Sequence, residues 1–144
     1  MKPLPHVYSA EASLRADGYC RISAPGLPDL RAAAPRDFDG PGDAWSPEQL
    51  LLAAVETCFA LTLKVVARAS RLEYLSLELS TQGTVDRKEG VTRFTSIILR
   101  PRLTIQAGES REKALRVLRR SEETCLVSAS LSTPVQLEPE VVMI

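Results

Sequence analysis

The sequence predicts an α+β domain in which an antiparallel sheet wraps a long, buried central helix, with a second helix beside it. Three observations predict it. Residues 46–63, "SPEQLLLAAVETCFALTL", are almost wholly apolar and open on a helix start signal. Residues 75–105 carry two alternating runs around a glycine-containing turn, the pattern of an antiparallel hairpin. A charged, amphipathic stretch over residues 109–124 then precedes a last alternating segment. Strands, helix, hairpin, helix and strand in that order make an α+β chain.

Taken in order, "HVYSAEASL" and "YCRISA" flank "RADG" as a first hairpin. "APGLPDLRAAAPRDFDGPGDAW", rich in proline and glycine, reads as a surface loop holding a short strand. Ser46 is the N-cap of the central helix, Pro47 suits its first position, and Gln49 completes an S-x-x-Q capping box. Leu51, Ala54, Val55, Cys58, Leu61, Thr62 and Val65 follow helical spacing and form the expected core stripe, with Leu50, Leu52 and Phe59 opposite. A helix apolar nearly all round must be covered on several sides, so a second subunit or second helix is expected. In the hairpin, Leu75, Leu77 and Leu79 alternate with Ser76, Glu78 and Ser80. After the turn "DRKEGVT", Ile97, Leu99, Leu103 and Ile105 oppose Ile98, Arg100, Arg102 and Thr104. Ala114, Leu118, Ser121 and Cys125 share one face of the second helix. "LVSASLS" is a short turn or helical piece, and "PVQLEPEVV" the final strand.

Composition bounds the function. The 144 residues, 44% hydrophobic and 25% charged, fit one soluble domain over residues 1–144. With 18 basic and 18 acidic residues there is no electrostatic reason for a nucleic-acid or acidic-membrane partner. "REKALRVLRRSEE" interleaves both signs and reads as a solvated face. "MKPLPHVYSAEA" lacks the apolar run of a signal peptide, so a cytoplasmic location is expected. The most apolar window, Leu50 to Val66, is interrupted by Glu56 and Lys64 and is short for a membrane span. His6 is the sole histidine and no C-x-x-C pair occurs, so no metal is expected. In a reducing compartment, a bond between any of Cys20, Cys58 and Cys125 would be transient and functional rather than structural.

Cys58 and Cys125 each lie on the core-facing stripe of a different helix. A buried free cysteine is an ordinary core filler, so the pattern alone leaves packing and chemistry both open. Their company favours chemistry: Glu48 sits in the first turn of the Cys58 helix, and several arginines lie in the loops before it.

Glu48 opens the central helix in a P-E-x-L run, and Cys58 follows ten residues later with Phe59 after it. Cys125 ends the later helix and is followed by x-x-S. Together with the element order, these motifs resemble the OsmC/Ohr family of osmotically inducible and organic hydroperoxide resistance proteins, from about Tyr8 onward. The resemblance implies an OsmC-like fold and an intertwined homodimer with sites at the subunit interface. It implies a cytoplasmic, antioxidant Cys-based peroxidase that reduces organic hydroperoxides in the oxidative stress response. Cys58 would be the peroxidatic residue, Cys125 the resolving one, and Glu48 the carboxylate that orients an activating arginine. Arg36, in "PRDFDG", matches the loop arginine of the OsmC-type branch. Arg15, in "LRADG", lies where the Ohr-type branch carries its arginine. Arg36 is preferred and Arg15 is the alternative. No cofactor is implied; an external dithiol, lipoyl-type or carried on a lipoylated protein, would be the reductant.

That chemistry is physically coherent. Only the thiolate attacks a peroxide oxygen, and burial raises a thiol's pKa, so a nearby guanidinium is expected to hold Cys58 ionised. Attack leaves a sulfenic acid at Cys58, which Cys125 closes to a disulfide. Ten residues of unbroken helix separate Glu48 from Cys58 by about 15 Å along the axis. Either the arginine bridges that gap or Glu48 serves the partner subunit, across two antiparallel helices on a two-fold axis. Two residues depart from the family pattern: Leu126 stands where much of the family has proline, and Glu56 where small or apolar residues are usual. Cys20 is read as structural, Trp45 and Phe38 as pocket mouth or packing, and His6 as exposed. Two other readings stand beside the peroxidase. One is a non-catalytic domain binding an apolar small molecule; the other is a redox sensor using the same cysteine pair.

Overall fold

The computed structural model describes residues 1–144. The chain forms two compact units, Met1–Leu50 and Leu51–Ile144.

The first unit is a three-stranded antiparallel meander of β1 (Glu11–Leu14), β2 (Cys20–Ser23) and β3 (Leu30–Ala32). The hairpin expected around "RADG" is present: Gly18 N–H donates to Arg15 O at 3.1 Å, and Arg15 N–H to Tyr19 O at 3.0 Å. β1 begins only at Glu11, so "HVYSA" stays outside the sheet. The proline-rich loop contains the short strand expected of it, then a 3₁₀ turn over Arg36–Phe38. The loop is tied back twice. Ala33 N–H donates to Trp45 O at 2.9 Å, and the Tyr19 hydroxyl donates to Asp43 at 2.9 Å while the Arg31 guanidinium lies over the Tyr19 ring.

Helix α1 spans Pro47–Ala69 without interruption. Its capping box forms as the sequence requires: Gln49 N–H donates to Ser46 Oγ at 3.1 Å, and Ser46 N–H to Gln49 Oε1 at 3.2 Å. In length and composition α1 would suffice to cross a membrane, yet Val55, Phe59, Leu63 and Ala67 build it into the core of the second unit. The buried stripe therefore differs from the expected one. Leu61 and Val65 are each 67% exposed, and Phe59, expected on the opposite face, is wholly buried. A helix that is apolar on every side offers several equivalent stripes, and only packing selects among them. The buried central helix of the expectation is thus buried along one stripe of this chain.

The rest of the second unit is a sheet with two helices. β4 (Ser76–Lys88) and β5 (Val91–Ile105) form the long antiparallel hairpin. The expected turn "DRKEGVT" shrinks to Glu89 and Gly90, both at positive φ (53° and 79°), the geometry of a two-residue hairpin loop whose twist matches the strands. On β5 the expected face is buried at Ile97, Leu99, Leu103 and Ile105. Helix α2 (Arg111–Glu123) starts at an Ser110 N-cap, and α3 (Leu126–Ala129) follows from Cys125.

The C-terminal segment differs from expectation in two ways. It splits into β6 (Val135–Leu137) and β7 (Glu140–Met143), and both run parallel to β5 rather than antiparallel. The α2–α3 crossover supplies the long connection that parallel neighbours need. The split falls where Pro101 in β5 and Pro139 between β6 and β7 cannot donate to a ladder.

Val55, Phe59, Leu63, Leu99, Leu103 and Leu118 centre the core of this unit. Phe59→Ala is expected to lower the unfolding free energy by about 3–5 kcal/mol, the usual cost of emptying a buried aromatic site. Urea denaturation followed by circular dichroism measures it.

Candidate functional site

The second unit brings Cys58 and Cys125 together as free thiols. Cys58 lies midway along α1 and is partly exposed; Cys125, at the α2–α3 junction, is 1% exposed. Helix α2 ends there: Cys125 N–H donates to Glu122 O at 3.1 Å, and Ala129 N–H to Cys125 O at 3.0 Å. That sharp restart turns the N–H groups of Leu126 and Val127 toward Cys58.

The two thiols are pushed in opposite directions. Burial alone would raise Cys58, but the Val127 N–H, the Cys125 thiol, the Thr62 hydroxyl and the Leu126 N–H all favour its thiolate, and its pKa falls below the ordinary thiol value. Cys125 goes up, chiefly through burial; the Ser128 hydroxyl and N–H oppose this, and the adjacent Cys58 adds to it. The two neighbouring thiols therefore differ in the same sense as in their exposure, with Cys58 the more readily ionised and Cys125 the less. None of the groups that lower Cys58 is a guanidinium, where the sequence led us to expect an arginine. Peptide and side-chain dipoles do the work within the chain.

Glu122, one turn before Cys125, was not singled out in the sequence. Burial raises its carboxyl above the usual range, partly offset by Ser128 nearby. Glu122 Oε2 and Ser128 Oγ are both buried without a hydrogen-bond partner, so Ser128 approaches the carboxylate and the thiol outside good hydrogen-bonding geometry. Orphaned buried polar groups cost about 1–3 kcal/mol each. Thr62, expected only as a core residue, lies one helical turn beyond Cys58, a spacing that could have flagged it.

The other expected residues lie in the first unit. Glu48 lines an apolar groove of about 570 Å³ with Ala12, Leu14, Cys20 and Phe38, and its Oε2 is buried without a partner. No arginine of the unit pairs with it. Arg36 is exposed in the 3₁₀ turn with its side chain laid across Gly42, at φ 75°, where an added Cβ would collide with the guanidinium stem. Arg15 is exposed in the β1–β2 turn. Cys20 and Phe38 line the groove, and His6 is exposed.

Comparison with known proteins bears on the family and the fold. The model of OsmC-like proteins matches residues 40–140, and the chain belongs to that family. It is 30% identical over 109 residues to the uncharacterized protein YmaD of Bacillus subtilis, covering 74% of this chain and 73% of that one. Among solved structures, an OsmC-like protein of unknown function from Vibrio cholerae superposes with a TM-score of 0.85 at 19% identity, over 94% of this chain and 99% of that one. An organic hydroperoxide resistance protein from Legionella pneumophila gives 0.72 at 21% identity, over 96% and 99%. The organic hydroperoxide resistance protein OhrB of Bacillus subtilis gives 0.67 at 22%, over 93% and 98%. At such identities these structures share the fold.

The opposed pKa directions make a direct prediction. Iodoacetamide labelling against pH, followed by mass spectrometry, should show a lower midpoint for Cys58 than for Cys125. Thr62→Val removes a donor to the thiolate and should move the Cys58 midpoint upward.

Proposed function

We propose that the protein is a thiol-dependent peroxidase that reduces organic hydroperoxides, with Cys58 as the peroxidatic and Cys125 as the resolving residue. The observation that carries this reading is the asymmetric pair: a partly exposed thiol whose pKa is lowered by the groups around it, beside a buried thiol whose pKa is raised. The Cys58 thiolate attacks the distal peroxide oxygen, the O–O bond breaks, and the alkoxide leaves as an alcohol after taking a proton. Cys125 then condenses with the Cys58 sulfenic acid, releasing water, and an external dithiol of lipoyl type reduces the disulfide. The relatives named for organic hydroperoxide resistance support the substrate class.

The active form in this reading is a cytoplasmic homodimer. Leu61 and Val65 leave an apolar row of α1 uncovered within one chain, and a second α1 packed antiparallel across a two-fold axis covers it. The same packing brings Glu48 and an arginine of the partner to Cys58, which gives the unpartnered carboxylate its ion pair. Arg36 is favoured over Arg15 on its match to the loop arginine of the OsmC-type branch, and its side chain has room to lie across Gly42 because that residue is glycine.

A second reading has one observation in its favour. With no guanidinium acting on Cys58 and an apolar groove beside Glu48, the domain could bind an apolar molecule without turning it over.

Cumene hydroperoxide with dihydrolipoamide separates the readings. Sustained turnover lost in Cys58→Ser supports the peroxidase, one oxidation per chain without turnover supports a redox sensor, and no reaction supports the binder. Arg36→Ala should reduce turnover at least tenfold while Arg15→Ala leaves it near wild type. Leu61→Glu should convert the dimer to monomer in light scattering.

A further inference from the structure

A cleft of the second unit lies outside the cysteine site. Its volume is about 360 Å³, and it opens between the tip of the β4–β5 hairpin, at Lys88, Glu89 and Arg93, and the segment Ser132–Pro134 that leads into β6. The hairpin register sets Arg93 directly opposite Asp86, where a cross-strand ion pair would be the ordinary outcome. None forms. Asp86 Oδ1 accepts from the Arg87 N–H at 2.7 Å, and the Arg93 guanidinium turns to neutral acceptors instead. Its Nη2 donates to Ser132 Oγ at 2.9 Å and to Thr133 Oγ1 at 3.4 Å, and its Nε to Phe94 O at 3.4 Å. Thr133 is 7% exposed and its hydroxyl donates to Phe94 O at 2.7 Å, so the guanidinium rests on a fixed support.

What the cleft then lacks is acceptors. No carboxylate pairs with Arg93 or Lys88. Arg93 Nη1 and Lys88 Nζ have no acceptor, and the Ser132 hydroxyl, which accepts from Arg93, has none for its own hydrogen. Glu89 supplies a single carboxylate at the same cleft, which leaves the cations in excess. A guanidinium held by neutral hydroxyls keeps its attraction for an anion and is already oriented to bind one. A carboxylate would bring two oxygens to these donors; a phosphoryl group brings three, one for each unfilled group.

We infer that this cleft binds the phosphoryl group of a small phosphorylated organic molecule, held by Arg93, Lys88 and Ser132. A bare phosphate, worth a few waters at about 30 Å³ each, would leave most of the 360 Å³ empty. Val91, Phe94 and Pro134 line the remainder and suit an organic group. The cleft shares no residue with the cysteine pair, and the inference does not rest on the peroxidase reading.

Titrating phenyl phosphate, inorganic phosphate and benzoate into isotope-labelled protein at fixed ionic strength, with amide shifts followed by NMR, tests it. Saturable shifts should centre on Arg93, Ser132 and Thr133, with phenyl phosphate the tightest of the three. Arg93→Lys keeps the charge but loses the fork, and should weaken phenyl phosphate by about tenfold or more, the scale of a charge-assisted hydrogen bond. Lys88→Ala leaves the support of Arg93 intact, so it stays informative even where Arg93→Lys disturbs the fold, and should weaken binding several-fold. Arg119→Ala, which removes an exposed cation from α2, should change nothing. Absence of saturable shifts up to concentrations on the order of 10 mM overturns the inference. So does benzoate or inorganic phosphate binding as tightly as phenyl phosphate. Equal weakening by Lys88→Ala and Arg119→Ala also overturns it, because that is the behaviour of unspecific charge attraction.

Discussion

A thiol set among apolar side chains ionises more readily where fixed dipoles stand in for water, and Cys58 has such dipoles around it. α2 stops at Glu123 and the chain restarts as α3 from the N-cap Cys125, so the N–H groups of Leu126 and Val127 are free to face Cys58. The same break places the second sulfur beside the first. One backbone event, a helix ended and another opened two residues later, supplies both the dipoles and the neighbouring thiol. The core residues of α1, β5 and α2 hold that junction in register with Cys58.

The second constraint is the surplus of apolar side chains on α1. One stripe is buried in the chain's own core, and the row through Leu61 and Val65 is left over. Glu48, at the start of the same helix, has an oxygen without a partner. Both features read as halves of something completed by symmetry, which is the basis of the dimer proposed above.

Much of this was legible in the sequence because it rests on local signals. The Ser46–Gln49 capping box, the alternation through β4 and β5, and the turn after β1 depend on neighbouring residues and formed as read. The face of α1 was misread because an all-round apolar helix carries no directional information. The C-terminal segment was read as one strand in an antiparallel sheet because alternation reports neither direction nor partner. Pro101 and Pro139, thirty-eight positions apart in sequence, set the break only once they are brought side by side. At the site, the cysteines were visible as residue types. The dipoles that act on them were not, since backbone N–H groups have no letter in the sequence. Glu122 looked like part of a charged solvent face, and only its burial distinguishes it from Glu123.

The placement of β6 and β7 bears on how the molecule is made. Both pair with β5, yet the chain between Ile105 and Val135 must be synthesised and folded into two helices before they can do so. Until then β5 presents an open edge, a row of unpaired amides next to strongly hydrophobic residues. A ribosome pausing in that interval would leave a template for wrong strand addition, so the nascent chain is most vulnerable while the stretch that carries Cys125 is emerging.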